Sequence, residues 1–198
     1  HNIDEDELEQ SFDSQKVQLV AAGYKPLNDR QNAIPPMLTF NNSLMGMFIM
    51  VAYVFLDKKE GVIKAYAVTA SSVKTYLLSK VFVILLTATV SGLIVLMPVM
   101  GLKINYLLLL LLLLTSGFFS SVFGLLIASF YNDITKAFST IFFAVILMIL
   151  PAISYYLPGW NPLWVKFIPS QPIIEGFKEI ISASGSMMYT LFVSAGFL

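Results

Sequence analysis

Charge is missing from four long stretches of this 198-residue chain: between Arg30 and Asp57, between Lys80 and Lys103, between Lys103 and Asp133, and between Lys136 and Lys166. A soluble helix or strand turns some of its residues to water every few positions, so gaps of this length exclude a water-facing surface. Each gap can hold the ~20 apolar residues that cross a hydrocarbon core of ~30 Å. Composition agrees, with 57% hydrophobic and 12% charged residues, where a soluble domain carries about 25% charged. Backbone N–H and C=O groups in lipid must pair within the segment, and the runs lack the alternation of a barrel, so they are helices. The expected fold class is all-α, a polytopic transmembrane helical bundle. Its spans cover Leu38 to Leu56, Val81 to Met97, Tyr106 to Phe130 and Ala137 to Leu157, with a truncated fifth from Met187 to Leu198.

The chain has no cysteine and one histidine, His1, which removes disulfides, thiolate chemistry and histidine-based metal or acid–base sites. It begins without Met, and its first 36 residues are polar and acidic rather than a signal peptide. The start of the native chain is therefore expected to be missing, and the last apolar run to be cut short. Residues 1–37 read as an extracytoplasmic segment, with Val17 to Val20 before Gly23-Tyr24-Lys25-Pro26 suggesting a short strand and turn. Pro98 and Gly101 are expected to close the second span, and Pro151 to interrupt the fourth.

Lysines near span ends set orientation. Lys58, Lys59, Lys64, Lys74 and Lys80 crowd one loop, and Lys136 joins them on the same side. Basic residues number six on each side, but those of the N-terminal region are diluted by acids, so the 57–80 loop is expected to be cytoplasmic. Within it Val62, Ile63, Tyr66 and Ala67 fall on one helical face, opposite a lysine-bearing face. Such a stripe needs cover from lipid headgroups, the bundle itself or a partner protein. Thr69, Ser71 and Ser72 are N-cap candidates for the helix leading into the second span. On the other side, residues 158–186 pass through a Pro- and Trp-rich corner. They continue, with Ser170 as N-cap and Pro172 in the first turn, into an amphipathic helix expected to lie in the outer interface.

The spans offer few polar residues. Ser116, Ser120, Gly124 and Ala128 recur every four positions, a spacing that lets helices approach closely, either within the bundle or along a dimer or pathway face. Asn41, Asn42 and Ser43 are the most polar cluster in any span and either line an exit path or sit at a tolerant helix end.

Lys59-Glu60-Gly61, a short helix, Thr69-Ala70-Ser71, and Tyr76-Leu77-Leu78-Ser79-Lys80 before the next span resemble the type-2 ABC exporter permeases. Pro162-Leu163-Trp164 and Ile168-Pro169-Ser170-Gln171-Pro172 resemble the outer corner before the last span of drug-export permeases of the fluoroquinolone kind. The resemblance covers roughly residues 38 to 198. It implies a dimer of permeases, homomeric or heteromeric, set among membrane lipids in a bacterial or archaeal cell membrane. It also implies a partner ABC ATP-binding subunit that carries the ATP and Mg. Lys59, Glu60, Gly61, Ile63, Tyr66 and Thr69 then become the partner-coupling residues. Two departures stand out: Ala70 occupies a place where the family commonly has proline, and the family's six spans include one ahead of the outer segment that this chain lacks.

On this reading the chain is an efflux permease for a drug, a lipid-like compound or a peptide, without an ATPase site of its own. No GxxxxGK[ST] phosphate loop occurs in it, and it binds no cofactor, metal or nucleic acid. The central parts of the spans contain no ionisable residue, which disfavours the alternative of an ion-coupled carrier or sodium-export permease. A membrane enzyme acting on lipids would need a cluster of acids, His or Ser at the membrane face, and Asp57, Glu60 and Asp133 do not make one.

Overall fold

The computed structural model describes residues 29–68, 72–101, 104–157, 159–160, 162–182 and 187–197. Thr69 and the strand and turn expected near Val17 lie outside them. The described residues form helices and no strand. They comprise α1 (Asp29–Thr39), a π-helical turn (Phe40–Met45), α2 (Gly46–Glu60), α3 (Val62–Ala67), α4 (Val73–Met100), α5 (Tyr106–Phe130), α6 (Ile134–Tyr156), a 3-10 turn (Leu163–Phe167), α7 (Ser170–Ser182) and α8 (Met187–Gly196). Four helical stretches are long and apolar enough to cross a membrane: Asp29–Glu60, Val73–Met100, Tyr106–Phe130 and Ile134–Tyr156.

The first stretch starts earlier than expected. Residues 29–37, read from sequence as part of an outer segment, are the opening turns of the helix, and Pro35 and Pro36 lie inside it. A tandem proline reads as a breaker because it removes two backbone donors, yet Ile34, Pro35, Pro36 and Leu38 are all buried, and packing holds the helix through it. The hydrogen-bond register then widens into the π turn, and no side-chain pattern announces the extra residue. Similarly, Pro98 does not stop α4; the helix ends at Gly101, whose positive φ of 57° and N–H bond to Met97 O (3.0 Å) make the turn.

Helix starts follow side-chain chemistry. Ser72, Asn105 and Asp133 sit in extended conformation and accept hydrogen bonds from the first-turn N–H groups of α4, α5 and α6, replacing partners that a helix end lacks. Ser170 departs from this pattern. It is the first residue of α7, and its hydroxyl donates instead to Met148 O (2.8 Å) in α6, a helix that runs on through Pro151 to Tyr156. The stripe of α7 is also not laid open to lipid: Ile173, Ile174, Phe177, Ile180 and Ile181 are buried against α1, α5, α6 and α8.

Two apolar cores stack along the bundle. At one end, which we call the far end, Leu38, Leu96, Leu109, Leu112 and Phe177 pack together. At the other, the corner end, Met47, Met50, Val54, Ile84, Ile127 and Ile141 do so. The outward faces of α4 and α6 expose large apolar side chains such as Phe82, Ile94, Phe138 and Phe143, as a lipid-facing surface requires.

Candidate functional site

Two polar constructions interrupt this apolar bundle. The first is at the corner end, where α2 turns into α4 through α3. Gly61 makes the turn at φ 73°, a left-handed conformation that glycine adopts freely, and its N–H caps α2. The 15-residue helix α2 thus ends in a fixed joint. Lys59 and Glu60 are exposed beside it, Ile63 tucks against the corner-end core, and the Tyr66 ring lies 4.6 Å from that of Tyr76 at the start of α4.

Beneath α3 the corner is held by charges. Asp57, 7% exposed, accepts hydrogen bonds from the Tyr76 hydroxyl and the Lys80 ammonium, the latter an ion pair. The Lys80 ammonium also sits 4.9 Å from the Tyr53 ring centroid and 5.0 Å from that of Tyr76, within cation–π range. The residue after Asp57, Lys58, reaches the opposite way and donates to Ala128 O and Tyr131 O, each at 2.6 Å, at the C-terminal end of α5. A lysine there answers both the unpaired carbonyls and the negative end of the helix dipole. Asp57 and Lys58 together lock α2 to α4 and to α5. Sequence reasoning named Lys59, Glu60, Gly61, Ile63 and Tyr66 but missed Asp57, Lys58, Tyr76 and Lys80 as the clamp. The available signal was an acid at the last turn of a span, with a base 23 positions later at the start of the next.

The second construction lies about 22 Å from Asp57 along the same helical stretch, at ~1.5 Å per residue, between the two apolar cores. Asn42, 1% exposed, donates its amide to Leu113 O (3.0 Å) and to the Ser116 hydroxyl, while the Ser120 hydroxyl donates to Asn42 O (3.1 Å). The carbonyl acceptor fixes which way the amide points, and leaves Asn42 Oδ1 without a partner. Asn41 faces another helix and donates to Ser91 Oγ of α4 (2.7 Å). The structure therefore brings Asn42, Ser116 and Ser120 together and sets Asn41 apart. Gly124 continues the same stripe, where an added Cβ would stand 2.7 Å from Met47 O and 3.1 Å from Met50 Cβ. The small residues of α5 are thus the seat of the π turn and α2 within one protomer.

Asp133, the exposed N-cap of α6 near Lys136, titrates outside the spans with a clear shift. The backbone N–H of Thr135 is the main cause, and it holds the carboxyl below its ordinary range. No group of three or more potential metal ligands occurs among the described residues.

Comparison with known proteins agrees with this architecture. No curated protein and no solved structure matches the chain. The model of a family described as ABC-2 family transporter protein matches residues 3–198, nearly the whole chain. With four membrane-length helices and a match of that extent, the chain belongs to the ABC-2 family of transporter proteins and is a multi-pass membrane permease.

Proposed function

We propose that this permease is the membrane-spanning subunit of an ATP-binding-cassette exporter. It pairs with a second permease copy and with a separate ATP-binding subunit, and moves hydrophobic or amphipathic molecules out of the cell. The observation that supports this best is the corner. A six-residue helix, α3, carries exposed Lys59 and Glu60 at its entrance and is braced on α2 and α4 through Gly61, the Tyr66–Tyr76 contact and the Asp57–Lys80 pair. A partner that pushes on α3 bears on α2 through the Gly61 turn and on α4 through the Tyr66–Tyr76 ring contact.

The path for substrate lies on the other half of the same stretch. An apolar chamber of about 500 Å³ opens between the π turn, α4 and α6, and is lined by Phe40, Asn41, Met45, Val95, Ala152 and Tyr156 among others. That volume falls in the range of small-molecule sites, about 300–1,000 Å³, and its mostly apolar walls suit a drug or lipid-like compound. Lys59, Glu60, Ile63 and Tyr66 then serve the partner, and Asn41 the substrate. The test is purification of the full-length permease from its native membrane, with ATPase activity assayed on whatever co-purifies. A nucleotide-binding subunit is expected with the wild type, and its retention or its stimulation is expected to fall in Tyr66→Asp. Purification without such a subunit, and no effect of Tyr66→Asp, would remove the exporter reading.

A further inference from the structure

Behind the apolar chamber lies a second, smaller and more closed one of about 110 Å³. The two share Pro36, Phe40 and Ala152 as common walls, so they are neighbouring compartments. The inner one differs in chemistry: three hydroxyl residues, Thr39, Ser43 and Ser170, stand among its apolar lining. Two of these hydroxyls are already used, Thr39 donating to Pro35 O (2.9 Å) and Ser170 to Met148 O (2.8 Å). Ser43, only 1% exposed, has a hydroxyl with no hydrogen-bond partner.

Ser43 belongs to the π turn, whose Phe40 is part of the wall shared with the outer chamber. Several hydroxyls elsewhere in the bundle fold back on the carbonyl four residues earlier, as Thr87 does on Val83 O, Thr115 on Leu111 O and Ser121 on Gly117 O, each at 2.9 Å, while Thr89 and Ser194, in ordinary helices, have buried hydroxyls without a partner as Ser43 does. In a π turn the ladder runs to the fifth residue and the carbonyls are displaced, and Ser43 lies within that turn without such a bond. A buried polar group left unpaired is unfavourable unless something outside the chain completes it.

We infer that the two chambers form one bipartite site for an exported amphipathic small molecule, whose neutral hydroxyl end donates a hydrogen bond to Ser43 Oγ while its apolar body fills the outer chamber. This rests on the exporter reading for the word exported, but not for the binding itself. The end group is neutral because no acid, lysine, arginine or histidine lines either chamber, and an ion there would lack a counter-charge. Water is the competing occupant, since 110 Å³ is several times the ~10–15 Å³ that one molecule needs.

The test uses the full-length permease in lipid nanodiscs without nucleotide or partner, so that its outcome is independent of the exporter reading. Two photoactivatable probes are compared: 1-dodecanol with a mid-chain diazirine, and its methyl ether, which keeps the chain and the oxygen, is longer by one methyl and cannot donate a hydrogen bond. Crosslinks are mapped by mass spectrometry. The alcohol is expected to label the Met37 to Met45 segment and Tyr156 about fivefold more than the ether, the ratio that one hydrogen bond of ordinary net strength produces. Excess dodecanol should compete it away. Ser43→Ala, which removes a hydroxyl that bonds nothing in the protein, should bring the alcohol down to the level of the ether without lowering the thermal unfolding midpoint. Equal labelling by the two probes in the wild type would overturn the inference in favour of an apolar lipid groove. A preference that survives Ser43→Ala would overturn it in favour of water in the inner chamber. The wild-type comparison stands even if the variant fails to fold.

Discussion

Asp57 shows how one residue can decide whether a helix end is a joint or a loose tether. It is nearly buried, and its carboxylate has two partners on the next membrane helix, Tyr76 and Lys80. Removing it leaves Lys80 without its partner at a site where the ammonium is largely covered. Asp57→Ala is expected to destabilise the purified permease by about 1–3 kcal/mol, the cost of orphaning a buried polar group, read as a lower thermal unfolding midpoint. Adding Lys80→Met should restore part of the loss, because the charge that lacked a partner is then gone; a double variant no more stable than Asp57→Ala would argue against the pair. Asp133 acts by pH. Its carboxyl is held below the ordinary value of 3.8, chiefly by the Thr135 N–H, so its contribution is present above that value and is lost as pH falls through the lowered one. The stability difference between wild type and Asp133→Ala should be visible at neutral pH and shrink below about pH 4.

Between elements, what matters is how closely α2 and the π turn sit on α5. Gly124 allows that approach, and a methyl there would meet backbone rather than a flexible side-chain tip. Gly124→Ala is expected to cost about 1–3 kcal/mol through overpacking and to lower the thermal midpoint more than Gly159→Ala, where nothing lies within 4 Å. Equal effects of the two would show that the helices can separate freely. The stripe of Ser116, Ser120 and Gly124 was legible in sequence as a close-packing face, because small residues every four positions have few other uses in lipid. Which helix it meets was not, since periodicity carries no information about the partner. The extent of α5 was also readable, bounded by Asn105 and Tyr131. The beginning of the first span was not, because Pro35-Pro36 reads as a stop while burial of both rings carries the helix through. The π turn left no sequence mark either, so Ser43, named with Asn41 and Asn42 as the polar cluster of the first span, could not be read as unpartnered. Ser170 misled for a related reason, since a hydroxyl before an apolar helix reads as a cap whether or not a carbonyl of a neighbouring helix is closer.

At the scale of the molecule, a corner locked by buried charge and a chamber at the π turn occupy opposite halves of one helical stretch, Asp29–Glu60. A rigid stretch of that kind converts motion at one end into motion at the other, and the central claim is that ATP-driven movement of α3 reaches the far end in this way. These 198 residues contain no cysteine, so two cysteines introduced among them can be spin-labelled specifically once any cysteine elsewhere in the assembly is replaced. Val68, beside α3, and Phe167, at the far end, are 87% and 89% exposed and suited to labels. The decisive measurement is the distance between Val68→Cys and Phe167→Cys in the assembled full-length transporter, without nucleotide and trapped with ATP and vanadate. The account predicts a distance change of several Å in the wild-type background, and its loss in Asp57→Ala while ATP hydrolysis by the partner continues. A change of the same size in Asp57→Ala, or none in the wild type, would contradict transmission through the corner.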